Sequence, residues 1–158
     1  MKPLSPSLFL SAALAVLAGC GAQAPAPAGA PAIIPRTAGT LYHRVGGYDA
    51  IAAMVDDFLG RMLRDPAIEP FFRDLQVGEK QRVRQMLADQ LCEATGGPCV
   101  YVGKDMQSAH AGLDITEQDW TKAVAHLVAT LDAFRVPTRE REELLSAVAG
   151  LKDQIVGR

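Results

Sequence analysis

The chain has 158 residues, with 16 basic against 18 acidic side chains for a formal net charge of −2, and only 6% of its residues are aromatic. No basic stripe interleaved with aromatics runs through it, which disfavours a nucleic-acid-binding role. There is no Gly-rich phosphate loop, no Gly-x-Ser-x-Gly elbow and no His-Glu-x-x-His pair, so nucleotide and hydrolase chemistry have no candidate site.

The chain divides into three parts. Residues 1–19 carry a single cation, Lys2, then the apolar run Leu8 to Leu17, then small residues. This is the grammar of a secretory signal, and the run is short for a membrane-spanning helix. The junction Leu17-Ala18-Gly19-Cys20 resembles the bacterial lipobox, in which the cysteine thiol is acylated and becomes the new N-terminus. An ordinary signal peptide with a chance cysteine is the alternative. Residues 20–39 are Ala/Pro-rich and read as an extended linker with little to bury. Residues 40–158 are long enough for one core and one domain. On this reading the domain is a lipoprotein in the cell envelope, held to a bacterial membrane through its lipid anchor and facing the periplasm.

In chain order, Thr40 to Val45 forms a short opening helix with Thr40 as its cap, broken by Gly46-Gly47. Ile51, Val55, Phe58 and Met62 then recur at helical spacing, and Asp65-Pro66 stops that helix. Ile68, Phe71 and Phe72 make a short apolar turn. A second long helix runs from about Gly78 to Thr95, with Val83, Met86, Leu87 and Leu91 on one face, and Gly96-Gly97-Pro98 ends it. Cys99 to Asp105 reads as loop, and Met106 to Ala111 allows one or two helical turns. Thr116-Glu-Gln-Asp119 is a capping-box-like start for a helix striped by Trp120, Val124, Leu127, Leu131 and Phe134. Leu144, Leu145, Val148, Leu151 and Ile155 give the last helix its buried face. No alternating strand pattern occurs, so the class is all-α.

Cys92 and Cys99 flank the Gly-Gly-Pro turn. Outside the cytoplasm such a pair reads as a disulfide; two buried thiols are the alternative, and no histidine lies near enough in sequence for a zinc site. The Cys-x-x-Cys-His pattern of covalent haem attachment is absent. Of the three histidines, His43 sits beside Arg44 and reads as surface. His126 lies off the main stripe of its helix, as a satisfied core or surface residue. His110 follows a glycine-containing loop and is flanked by Ala109, Ala111 and Gly112, small neighbours that let a large flat ligand approach the imidazole. Spacing alone leaves it open whether it is a ligand or a structural histidine.

The series Leu41 to Ile51, Val55-Asp-Asp-Phe58, Asp65-Pro66, Phe71-Phe72, Gly96-Gly97-Pro98, Tyr101-x-Gly103 and Met106-Gln-Ser-Ala-His110-x-Gly112-Leu-x-Ile-Thr116 resembles the group I truncated haemoglobins, in order and over nearly all of Thr40 to Val156. The resemblance implies a two-over-two globin fold of about four main helices around one haem b. It makes His110 the iron ligand through one ring nitrogen, while the other donates to a nearby carbonyl. It implies that Phe72 stacks on the haem, and that Met106, Ile115 and Val124 line an apolar pocket. Tyr101, Lys104 and Arg82 or Arg84 are candidates to meet the propionates, with a solvated helix face as the alternative for each cation. The Gly-Gly breaks allow the sharp reversals of a shortened globin.

The sequence departs from the family on the distal side. Members that hold oxygen often place tyrosine after the phenylalanine matching Phe58; here that position is Leu59, and Val83, Met86 and Leu87 on the distal helix are also apolar. Without a donor, bound dioxygen loses a charge-assisted hydrogen bond of about 1.5–3 kcal/mol, a loss that weighs less on carbon monoxide and nitric oxide. Gln85 or Gln90 could supply an amide instead, and Met86 could itself bind the iron. The expected function is binding of a diatomic gas (O2, NO or CO), in oxygen binding or transport or in nitric oxide detoxification. Detoxification needs a reductase or other electron donor. An electron-transfer or peroxidase-like protein with six-coordinate iron, and a haem-free helical module, are the alternatives.

Overall fold

Glycine and proline punctuation cuts the domain into the helices that the apolar spacing predicts, except that the last helix ends at Ala149, before Gly150, so that the expected Leu151 and Ile155 lie beyond it and are half-buried. The computed structural model describes residues 39–158. The expected signal peptide, Cys20 and the expected linker up to residue 38 lie outside the described residues. The elements are α1 (Leu41–Arg44), α2 (Gly47–Met62), a 3-10 turn (Glu69–Phe72), α3 (Val77–Ala94), α4 (Met106–His110), α5 (Glu117–Ala133), α6 (Thr138–Ala149) and a final 3-10 turn (Lys152–Gln154). There is no strand among the described residues, and no helix of them is long and apolar enough to cross a membrane.

The starts and stops follow local chemistry. Thr116 caps α5: its hydroxyl accepts the Asp119 N–H at 3.2 Å, while the Asp119 carboxylate accepts the Thr116 N–H at 3.0 Å. Glu79 accepts the Gln76 N–H at 2.7 Å at the start of α3. Thr40 sits at the N-cap of α1, but its hydroxyl pairs with His43 Nδ1 at 2.9 Å and caps no backbone N–H. Between α3 and the next loop, Gly96 adopts φ +82°, and a Cβ on Gly97 would lie 2.5 Å from the Tyr42 ring and 2.7 Å from Cys92 Sγ. Only glycine fits there. Cys92 and Cys99 are joined by a disulfide across this turn.

α2 packs against both α3 and α5, and α1 against α6. The buried stripe of α2 is Ala50, Ile51, Met54 and Val55. It overlaps the predicted stripe at Ile51 and Val55 and is rotated away from Phe58 and Met62, which stay half-buried. The reason is visible on α3, whose fully buried residues are the small Ala88 and Cys92. Small side chains let α2 come close, and the larger Val83 and Met86 stay outside the packed core. Arg44, buried, donates to Glu140 at 2.9 Å and to Glu143, tying α1 to α6. Asp57 on α2 accepts from the Thr130 hydroxyl of α5 at 2.7 Å.

Candidate functional site

His110 ends the five-residue α4. The helix starts at Asp105, whose carboxylate accepts the Ser108 N–H at 2.8 Å and the Ser108 hydroxyl at 2.9 Å. These bonds hold Asp105 below the usual carboxylate range. His110 Nδ1 lies 2.7 Å from the Met106 carbonyl oxygen, one helical turn back. A carbonyl only accepts, so Nδ1–H donates to it, and in the neutral ring that tautomer leaves the lone pair on Nε2. Nε2 takes part in no hydrogen bond with the described residues. Half-buried, it has small neighbours: Ala109, Ala111 and Gly112 are exposed, and a Cβ on Gly112 would meet nothing within 4 Å. The Nδ1 contact orients the ring and leaves Nε2 open to a ligand.

The other sequence-predicted residues fall into groups. Met106 is buried beside His110. Phe72, Val83, Met86, Ile115 and Val124 are half-buried and lie outside the main core cluster. Leu59 and Leu87 pack against the core. Phe58 lines an apolar cavity of about 30 Å³ shared by residues of α2, α3, α5 and α6, about the size of one water. Tyr101 donates its hydroxyl to the Lys104 carbonyl at 2.6 Å, and burial pushes its phenol up.

Among the candidate polar partners the structure makes choices. Arg84 is committed to Asp56 on α2, at 2.5 and 2.8 Å, leaving the exposed Arg82 and Lys104 as the cations open to an anionic group. The Gln85 amide donates to Tyr48 at 2.7 Å and to Asp89 at 3.0 Å, on the α2 side. Gln90 donates to Met106 Sδ at 3.4 Å. The Gln85 amide is thus committed to Tyr48 and Asp89, whereas Gln90 spends one of its two N–H donors on the Met106 sulfur. Of the remaining histidines, His43 is exposed, and His126 Nε2 meets Asp65 at 2.7 Å. The Ala67 N–H and then His126 hold the Asp65 carboxyl below the usual range.

A family model described as Bacterial-like globin matches residues 40–156. A group 1 truncated hemoglobin of Mycolicibacterium paratuberculosis is 31% identical over 73% of this chain and 83% of its own length. One from Synechocystis is 34% identical over 71% of this chain and 88% of its own. The chain belongs to the group 1 truncated haemoglobins. The crystal structure of the Tetrahymena pyriformis truncated hemoglobin in its Fe(III) form superposes on this globin with a TM-score of 0.70, at 26% identity, covering 76% of this chain and all of the other.

Two features of this truncated haemoglobin had no signal in the sequence. One is the Gln90 contact with Met106, which crosses from α3 to α4. The other is a pair of backbone hydrogen bonds between the segment after His110 and the C-terminal tail, which no side-chain pattern encodes. The glycines at 112 and 157, with φ of +78° and +71°, were its only trace.

Proposed function

We propose that this globin binds haem b, whose iron His110 Nε2 would hold, and that its function is to bind a diatomic gas. The observation that carries the reading is the His110 tautomer, with Nδ1–H spent on the Met106 carbonyl and Nε2 left to ligate. Phe72, Val83, Met86, Ile115 and Val124, half-buried and outside the main core cluster, would give a flat hydrophobic cofactor its apolar lining. When bound, haem supplies the iron at which O2, NO or CO binds. The chain supplies orientation and a dry apolar surface. It offers no hydrogen-bond donor from Leu59, Val83, Met86 or Leu87. That favours carbon monoxide and nitric oxide over tight oxygen storage. Nitric oxide detoxification would draw electrons from a separate reductase.

The test is a haem titration of the purified protein followed by absorption in the ferric and ferrous states. Saturation at one haem per chain with a five-coordinate ferrous spectrum is expected. A six-coordinate ferrous spectrum that Met86→Leu converts to five-coordinate would replace gas binding by electron transfer. No uptake would reject the haem reading.

Residues 1–19 act, in this proposal, as a lipoprotein signal, with Cys20 acylated and the globin tethered at the envelope by residues 20–39. The support is the apolar run followed by Leu-Ala-Gly-Cys. Labelled palmitate should enter the expressed protein and be absent from Cys20→Ser; equal labelling of both contradicts the anchor.

A further inference from the structure

Five residues make little more than one helical turn, and a helix that short does not hold itself in water. The position of His110 therefore depends on what grips α4 from outside. On its N-terminal side the grip is Asp105 on Ser108 and Gln90 on Met106. On its C-terminal side the chain turns at Gly112, and the Leu113 N–H donates back to the His110 carbonyl at 3.2 Å. The next two residues are then held by the end of the chain. The Asp114 N–H donates to the Arg158 carbonyl at 3.0 Å, and the Gly157 N–H donates to the Ile115 carbonyl at 2.9 Å.

The tail is itself folded for this contact. The Arg158 guanidinium donates to the Asp153 carbonyl at 2.6 and 3.2 Å, bending the tail onto the turn Lys152–Gln154. That turn is the main packing partner of α4. Lys152 meets Glu117 at 2.7 Å, but both are well exposed, so that pair orients more than it stabilises. Two backbone positions are unusual. Gly157 has φ +71°, and Asp114, a non-glycine residue, has φ +50°.

We propose that the segment Lys152–Arg158 is a clasp that positions His110, with Gly157 as its determining residue. This rests on the reading of His110 as the iron ligand. A ligating side chain is held in productive geometry by its supporting shell, to within about half an ångström. Here that shell includes the far end of the chain.

The test uses Gly157→Val and Gly157→Asn in the full chain. A Cβ at Gly157 meets nothing within 4 Å, so valine acts through its backbone preference rather than a clash. A β-branched residue resists positive φ, whereas asparagine tolerates it. In the haem-free protein, Gly157→Val is expected to raise hydrogen exchange across residues 108–115 roughly tenfold while α2 and α5 keep their parent rates. Gly157→Asn should restore parent exchange. In the haem-loaded ferrous protein, Gly157→Val should shift or split the iron–histidine stretching band, and Gly157→Asn should leave it in place. Unchanged exchange at 108–115 in Gly157→Val, or an equal rise in α2 and α5, would overturn the clasp. If the parent takes up no haem, the haem reading fails, and the exchange measurement still decides the clasp.

Discussion

Each of the three histidines has one ring nitrogen hydrogen-bonded: His110 Nδ1 to the Met106 carbonyl at 2.7 Å, His126 Nε2 to Asp65 and His43 Nδ1 to Thr40. His110 differs in its surroundings, half-buried at the end of a short helix with buried Met106 and flanked by the small Ala109, Ala111 and Gly112. Small residues flanking His110 were visible in the sequence, and the resemblance implied a carbonyl partner for its ring; that the carbonyl is Met106's, one helical turn back, is what the structure adds. The polar candidates around the pocket were less legible. Arg84, Gln85 and Gln90 sit at plausible spacing, yet each is claimed by a neighbour that only the tertiary arrangement supplies. Leu59 sets the first prediction. Leu59→Tyr introduces a hydroxyl donor and is expected to slow dioxygen dissociation by about ten- to a hundredfold, with carbon monoxide changed far less. Stopped-flow ligand displacement reads this, and equal effects on both gases would show that the new hydroxyl does not meet the ligand.

Helix positions were legible wherever caps, prolines and apolar spacing agreed. The Thr116–Asp119 box is the best case, since both reciprocal hydrogen bonds form. Which face of a helix is buried was harder to read. Ala88 and Cys92 define the contact of α3 because they are small, and a search for large apolar residues passes over them. Contacts between elements also rest on polar pairs. Thr130, wholly buried on α5, donates to Asp57 of α2. Thr130→Val keeps the shape and removes the donor, so it should destabilise the fold by about 1–2 kcal/mol in urea unfolding. An unchanged midpoint would mean that Arg61 alone satisfies the carboxylate. The disulfide between α3 and the following loop closes a short loop, and Cys92→Ala/Cys99→Ala should cost about 2–3 kcal/mol in the same assay. The ion pair of Arg44 with Glu140 and Glu143 ties the first helix to the last. Arg44→Met should lower the urea midpoint more than Arg44→Met/Glu140→Leu, since the single change strands a buried carboxylate.

Across the whole molecule, several carboxyl groups lie below their ordinary range. Burial pushes Asp57 up, but Arg61 and the Thr130 hydroxyl outweigh it. The Ala67 N–H and His126 lower Asp65, the Ser108 N–H and hydroxyl lower Asp105, and Thr116 lowers Asp119. Each group binds a proton more weakly folded than unfolded. Its stabilisation is complete above the unfolded carboxylate value of about 3.9 and is lost as pH falls through the lower folded value. Urea midpoints should therefore hold from neutral pH to about pH 5 and fall steeply below about pH 4. A flat profile down to about pH 2 would contradict this distribution of carboxyl partners. The family and the helical class were both written in the order of motifs from Leu41 to Thr116. The clasp between the tail and the segment after His110 was not, because backbone bonds between residues 114 and 158 leave no side-chain signature.

Whether His110 ligates haem iron is decided by absorption spectra of ferric, ferrous and ferrous–carbon monoxide protein, parent beside His110→Ala. A haem b spectrum is expected in the parent and should be lost or changed in the variant. A parent spectrum reproduced unaltered by His110→Ala would contradict ligation by His110.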